Sequence, residues 1–221
     1  MLIVIDGVDA SGKETQTKLI TEKLTDMGKK VIRLSFPCYD KPWITPVKMY
    51  LEGDFGKNAE DVSPYSASMF FAMDRFASYM TEWKNNYENG DVIICDRYVS
   101  SNMIHQASKI SDEKEKVDFL EWIRDLEFEK NKMPKPDLTL FLDMPVEYGL
   151  KLMQERKNKI DGSETKDIHE GNREYLQKSY DNAVFVAKHF NWEHIRCVKD
   201  DTIRTIDDIN SEIMIKIEKL F

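Results

Sequence analysis

The chain has 221 residues, 41% hydrophobic and 11% aromatic, with 40 acidic against 32 basic side chains. The net charge of −8 argues against general binding to a polyanion such as nucleic acid, so phosphates have to be met by a local basic cluster. No stretch approaches the roughly 20 apolar residues of a membrane span, Asp6 and Asp9 break up a short amino-terminal apolar run that lacks the basic leader of a signal peptide, and Cys38, Cys95 and Cys197 form no C-x-x-C pair, which together predict a soluble cytoplasmic protein with reduced thiols.

Five apolar runs, at Leu2 to Ile5, Val31 to Phe36, Val92 to Cys95, Leu138 to Leu142 and Ile195 to Val198, predict buried strands. Apolarity that is nearly continuous rather than alternating is what a parallel sheet shows when helices cover both of its faces. Amphipathic stretches at 13–27, 64–88, 114–130, 146–157, 171–190 and 205–220 supply those helices. Met27-Gly28 and Asn89-Gly90 provide left-handed caps that close the first two, and Pro134 and Pro136 mark the turn into the fourth strand. The polar segment 158–169 has no apolar stripe and reads as an exposed loop. With no repeat or linker in the chain, the pattern predicts one α/β domain over 1–221: a right-handed, doubly wound, five-stranded parallel sheet with helices on both faces. Ligands then gather beyond the carboxyl ends of the strands.

Two motifs fall at those ends. Gly7-Val8-Asp9-Ala10-Ser11-Gly12-Lys13 follows the first strand at once and opens a helix, the arrangement of a phosphate-binding loop. Its glycines let backbone N–H groups converge on an anion, the helix N-terminus adds partial positive charge, and Lys13 supplies a mobile cation. The pattern G-x-x-x-x-G-K-[ST] is met at seven of its eight positions, and Glu14 stands where a magnesium-binding hydroxyl is usual. Thr15 cannot simply replace that hydroxyl, because one residue along a helix turns the side chain by about 100°. Asp96-Arg97-Tyr98 follows the third strand and sets an acid and a base on the same edge. Asp96 there would hold magnesium, directly or through water, and Arg97 would bridge phosphoryl oxygens.

These motifs, taken with Thr15-Gln16, Phe36-Pro37, Phe70-Phe71-Ala72-Met73-Asp74-Arg75, Ser101-Asn102, Gln106 and Pro136 to Asp143, resemble the thymidylate kinases of the nucleoside monophosphate kinase group along nearly the whole chain. The resemblance implies a P-loop kinase fold and magnesium-dependent transfer of the ATP γ-phosphoryl group to dTMP. It implies that Lys13 and the loop from Gly7 through Asp9, Ala10, Ser11 and Gly12 to Glu14 and Thr15 hold the donor, and that Asp9 meets the acceptor's 3′-hydroxyl. Phe71 would stack on thymine, Arg75 would donate to its carbonyl edge, and Arg97 would grip the acceptor phosphate. Phe36, Tyr39, Ser101, Asn102 and Gln106 would line the acceptor pocket. A homodimer through the long helices is also implied.

Plain structural roles compete with several of these assignments. Phe71 lies in an apolar run and suits a core, Arg75 could pair with Glu82 on its own helix, and His105 reads as a partly buried structural histidine or as pocket-lining. His169, His189 and His194 show no metal spacing. Glu14 either ligates magnesium or turns outward. Cys38-Tyr39 stands where the family often has an arginine for the acceptor phosphate, leaving Lys48 or Arg97 to bring the charge. Ala10 excludes a catalytic arginine in the loop, which leaves Arg156 at the edge of a lid over about 156–170, ahead of Arg173. No nucleophile and no strong general base is needed for such a transfer. A kinase for another nucleoside or nucleotide, and a nucleotide-binding protein of weak or no activity, are the competing functions.

Overall fold

The computed structural model describes residues 1–153 and 173–221. Five parallel strands, β1 (Leu2–Asp6), β2 (Val31–Ser35), β3 (Val92–Asp96), β4 (Leu138–Asp143) and β5 (Glu193–Arg196), lie in the order β2-β3-β1-β4-β5. Successive strand residues point to opposite faces, so a strand covered on both sides must be apolar throughout. On one face Ile3, Ile5, Ile94, Leu140 and Ile195 meet α1 (Lys13–Asp26) and α9 (Ile206–Ile217) through Ile20, Leu24, Ile213 and Ile217. On the other, Leu2, Val4, Ile93 and Cys95 meet Trp83, Met103, Phe119, Ile123 and Val186. The doubly wound α/β arrangement follows from that two-sided apolarity.

Three of the five strands fit the expectation of burial and two need correction. β1 and β3 are buried at every residue, and β4 is buried at its centre. β2 and β5 form the edges, where Arg33, Glu193, His194 and Arg196 are exposed. β5 also begins two residues earlier than its apolar run. Val198–Lys199 (β6) turns away and pairs antiparallel with Thr202–Ile203 (β7), with Asp200 and Asp201 in the turn at φ 49° and 55°. Two residues at positive φ are the requirement of a tight hairpin turn.

The expected helices appear with their caps. Gly28 and Gly90 take φ 80° and 87°, and Ser63, Asp112 and Thr205 cap the helices that follow them. The stretch 64–88 is α3 (Pro64–Ser78), a π-helical turn over Tyr79–Trp83 and then α4 (Lys84–Glu88). Likewise α6 (Glu113–Arg124) runs into a π-helical turn over Asp125–Lys130. α7 (Val146–Met153) and α8 (Arg173–His189) border the segment outside the described residues. Two short helices were not foreseen: α2 (Thr45–Leu51) and α5 (Val99–His105).

α5 is fastened to β1 by one carboxylate. Asp6, fully buried, accepts the Gly7 N–H at 2.8 Å, the Ser100 hydroxyl at 2.6 Å and the Ser101 hydroxyl at 2.9 Å. Phosphate loop and α5 thereby share a single anchor. Replacing it by alanine leaves three donors without their acceptor, so Asp6→Ala is expected to lower unfolding stability by about 3 kcal/mol in urea titrations; a change under about 0.5 kcal/mol would show that the anchor is dispensable.

Candidate active site

The phosphate loop is shaped by its glycines and by the strand beside it. A side chain at Gly7, whose φ is 151°, would meet the Leu142 carbonyl at 2.7 Å and Ser11 Oγ at 2.9 Å, so only hydrogen fits. Ala10 and Gly12 also take positive φ, 59° and 90°, curling the loop into the N-terminus of α1. Lys13, only 6% exposed, folds back over the loop and donates to the Gly7 carbonyl at 3.0 Å and the Val8 carbonyl at 2.8 Å. Burial is the main cause that depresses its pKa, to about 8; the nearby Arg97 cation adds to the depression, and Asp9, Asp96 and Asp6 oppose it.

Arg97 stands across from Lys13 at the end of the neighbouring strand. Its φ of 68° is a left-handed conformation that any residue with a Cβ adopts at a cost. Its guanidinium forms an ion pair with Asp9, donates to Ser101 Oγ at 3.3 Å and lies 3.0 Å from His105 Nε2. Burial would lower its pKa, but the carboxylates of Asp9, Asp6 and Asp96 outweigh burial and hold it above the usual range. Asp96 is itself 8% exposed at the end of β3.

The acceptor residues suggested by the sequence lie on α2, α3, α5 and the loop after β2. Phe36 is buried. Tyr39, Phe70 and Phe71 are half-buried against Ile44, Val47, Tyr50 and Leu51, and Phe71 meets Tyr50 edge-on with ring centroids 6.0 Å apart. Asn102 donates to the Ser68 carbonyl at 3.2 Å, while Gln106 is buried with its Oε1 lacking a partner among the described residues.

Arg75 is not paired with Glu82, which instead bonds Lys41 and Ser78. Its partner is Glu127, which lies on the π-helical turn after α6. Arg75 donates to Glu127 from Nε at 3.0 Å and from Nη2, and Nη1 reaches the Tyr98 carbonyl at 3.4 Å. Both side chains of this pair are at most 2% exposed. One residue earlier, Asp74 accepts the Cys38 N–H and the Trp43 indole N–H, each at 3.0 Å, and so holds the loop that carries Tyr39.

Sequence reasoning named Asp6 and Asp74 only within motifs, without an anchoring role, and passed over Glu127. A carboxylate inside the apolar run Phe70 to Phe76 was a readable signal for Asp74; nothing local marked Glu127, which is 52 residues from Arg75. Cys38, at the position of the missing arginine, has a thiol that burial pushes up to about 12, so it brings no charge. Lys48 is half-buried on α2 and Glu14 is exposed on the first turn of α1. Arg156 and the lid it would belong to lie outside the described residues.

Among the described residues no group of three or more His, Cys, Asp or Glu side chains is placed to cage a metal. Asp96 offers a hard oxygen ligand beside the phosphate loop. One carboxylate suits magnesium that takes its other ligands from phosphates and water, so the residues present fit a shared ion rather than an all-protein site.

A polyphosphate laid against Lys13 favours the ammonium and raises its pKa again, so donor binding above the free value must take up a proton. ADP binding at about pH 8.5, followed by calorimetry in buffers of different ionisation enthalpy, is expected to show net proton uptake that fades as the pH is lowered well below 8. No uptake would mean that the polyphosphate does not contact Lys13.

The family model described as thymidylate kinase matches residues 5–200. A thymidylate kinase of Mycobacterium tuberculosis is 29% identical over 180 residues, spanning 81% of this chain and 82% of that one. A probable thymidylate kinase of Thermococcus kodakarensis is 30% identical over 226 residues, spanning 100% of this chain and 98% of its own. The crystal structure of thymidylate kinase from Ehrlichia chaffeensis shares the fold, with a TM-score of 0.66 at 19% identity and 98% of each chain covered. A glycine-rich loop at β1, an Asp-Arg pair at β3 and a family match over most of the length agree: the chain belongs to the thymidylate kinase family.

Proposed function

We propose that this chain is an ATP-dependent nucleoside monophosphate kinase that transfers the γ-phosphoryl group to dTMP, giving dTDP and ADP. One observation carries the reading. Two largely buried cations, Lys13 and Arg97, are held at the ends of adjacent strands and feel each other's charge, with Asp9 and Asp96 beside them. Folding gains nothing from burying like charges together; a site that must neutralise a moving phosphoryl group does.

In this reading Lys13 and the amides of residues 7–15 orient the donor phosphates. Arg97 grips the acceptor phosphate, and its place opposite the loop sets the two substrates in line, which is most of what phosphoryl transfer asks of a protein. Asp9 accepts the acceptor's 3′-hydroxyl while it restrains Arg97. Phe71 stacks on the base and Arg75, pinned by Glu127, presents its remaining N–H groups to the carbonyl edge; Ser101, Asn102 and Gln106 complete the pocket together with Phe36 and Tyr39. Magnesium, held by Asp96 with Glu14 as the second candidate, would draw off charge from the donor phosphates when bound. The whole chain acts as one domain; Arg156 and the lid assigned to about 156–170 lie outside the described residues. No helix among the described residues is long and apolar enough to cross a membrane, and we place the enzyme in the cytoplasm, acting on small molecules and not on nucleic acid.

The absent arginine at Cys38 favours one rival, a kinase of unphosphorylated nucleosides. An assay of dTMP, dUMP, thymidine and dCMP with ATP separates the two. We expect dTMP to be turned over fastest; phosphorylation of thymidine with none of dTMP would overturn the assignment.

The homodimer reading is supported by α3. Tyr65, Met69, Met73 and Met80 are 41 to 58% exposed and their spacing sets them along one side of α3 and the turn after it. If a second copy covers this face, Met69→Glu with Met73→Glu is expected to halve the mass seen by sedimentation velocity. An unchanged mass would place the dimer contact elsewhere or show a monomer.

A further inference from the structure

The Arg97 guanidinium carries five N–H groups and no lone pair, so every contact it makes within hydrogen-bond distance is one in which it donates. Ser101 has a single hydroxyl proton, which goes to Asp6, leaving its oxygen to accept from Arg97 Nη1. The second contact of Nη1 is the 3.0 Å approach to His105 Nε2. A hydrogen bond there requires the Nε2 lone pair, and so a neutral imidazole with its proton on Nδ1. Nη2 is drawn to Asp9. With Nη1 engaged twice and Nη2 once among the described residues, the Nε–H and one Nη2 proton remain, donors enough for a phosphoryl group.

We propose that His105 is a positioning residue of the phosphoryl acceptor site. Its Nε2 lone pair, together with Asp9 and Ser101, locks the Arg97 fork so that its remaining donors are kept for phosphate. A backbone at φ 68° gives Arg97 little intrinsic preference for this pose, so the side-chain partners have to supply it. His105 is itself held at the end of α5, where its carbonyl accepts the Ser108 hydroxyl at 2.7 Å and the Tyr175 hydroxyl of α8 at 3.4 Å. The inference rests on the role given above to Arg97 in gripping the acceptor phosphate.

Two variants and one spectroscopic measurement test it. His105→Phe fills the space without an acceptor and is expected to lower kcat/KM for dTMP roughly 10- to 30-fold, mainly through the dTMP KM, with the KM for ATP and the melting temperature unmoved. His105→Gln places a carbonyl oxygen near the site of Nε2 and is expected to recover activity to within about threefold of the parent. Parent-level activity in His105→Phe, or a Gln variant as impaired as the Phe variant, would overturn the proposal.

Independently of turnover, nitrogen-15 spectra of histidine-labelled protein should show His105, assigned by its loss in His105→Gln, as the Nδ1–H tautomer, relaxing toward the Nε2–H form in Arg97→Ala. An Nε2–H tautomer in the parent would exclude the contact. Should the parent fail to phosphorylate dTMP while the tautomer is found as expected, the assignment of acceptor fails and the pairing of His105 with Arg97 stands.

Discussion

The site depends on one buried carboxylate at the end of the central strand. Asp6 takes the first amide of the phosphate loop and both serine hydroxyls at the start of α5, so the loop and α5 are set relative to each other by three bonds to one group. A loop of this kind has few apolar contacts of its own to hold its shape. The charged acceptor compensates, because hydrogen bonds to an ionised carboxylate are about twice as strong as neutral ones.

Around that anchor the protein gathers charge that folding alone would disperse. Burial and then the nearby Arg97 cation depress Lys13, and Asp6, Asp9 and Asp96 offset the two cations. Removing two cations from water is costly, and ion pairs recover that cost only with good geometry. The return is preorganisation: donors already aimed and already dehydrated need no rearrangement when negative charge moves between substrates. In a chain with a net charge of −8, two cations are thus concentrated at one site by burial and by pairing with carboxylates, not by a surplus of basic residues.

Much of this was legible in the sequence, and the exceptions share a cause. β1, β3 and β4 announced themselves because both faces are covered, and the loop from Gly7 to Lys13 because its glycines are demanded by backbone conformation and by the Leu142 carbonyl. β5 was misplaced because an edge strand needs few apolar residues, while Cys197 is buried just beyond it. α2 and α5 escaped because seven residues hardly span two turns of periodicity. The partners Glu127 for Arg75 and His105 for Arg97 were illegible for different reasons. The first depends on a π-helical turn packing against a distant helix, and the second on which nitrogen of an ordinary-looking histidine meets a guanidinium.

α3 carries two kinds of surface on one rigid rod. Its inner side bears Asp74 and Arg75, which fasten the Tyr39 loop and the guanidinium beside Glu127; its outer side bears Met69 and Met73. One continuous backbone joins the two sides, so the pocket anchors and the exposed methionines cannot be displaced independently: a roll of α3 about its axis would carry both.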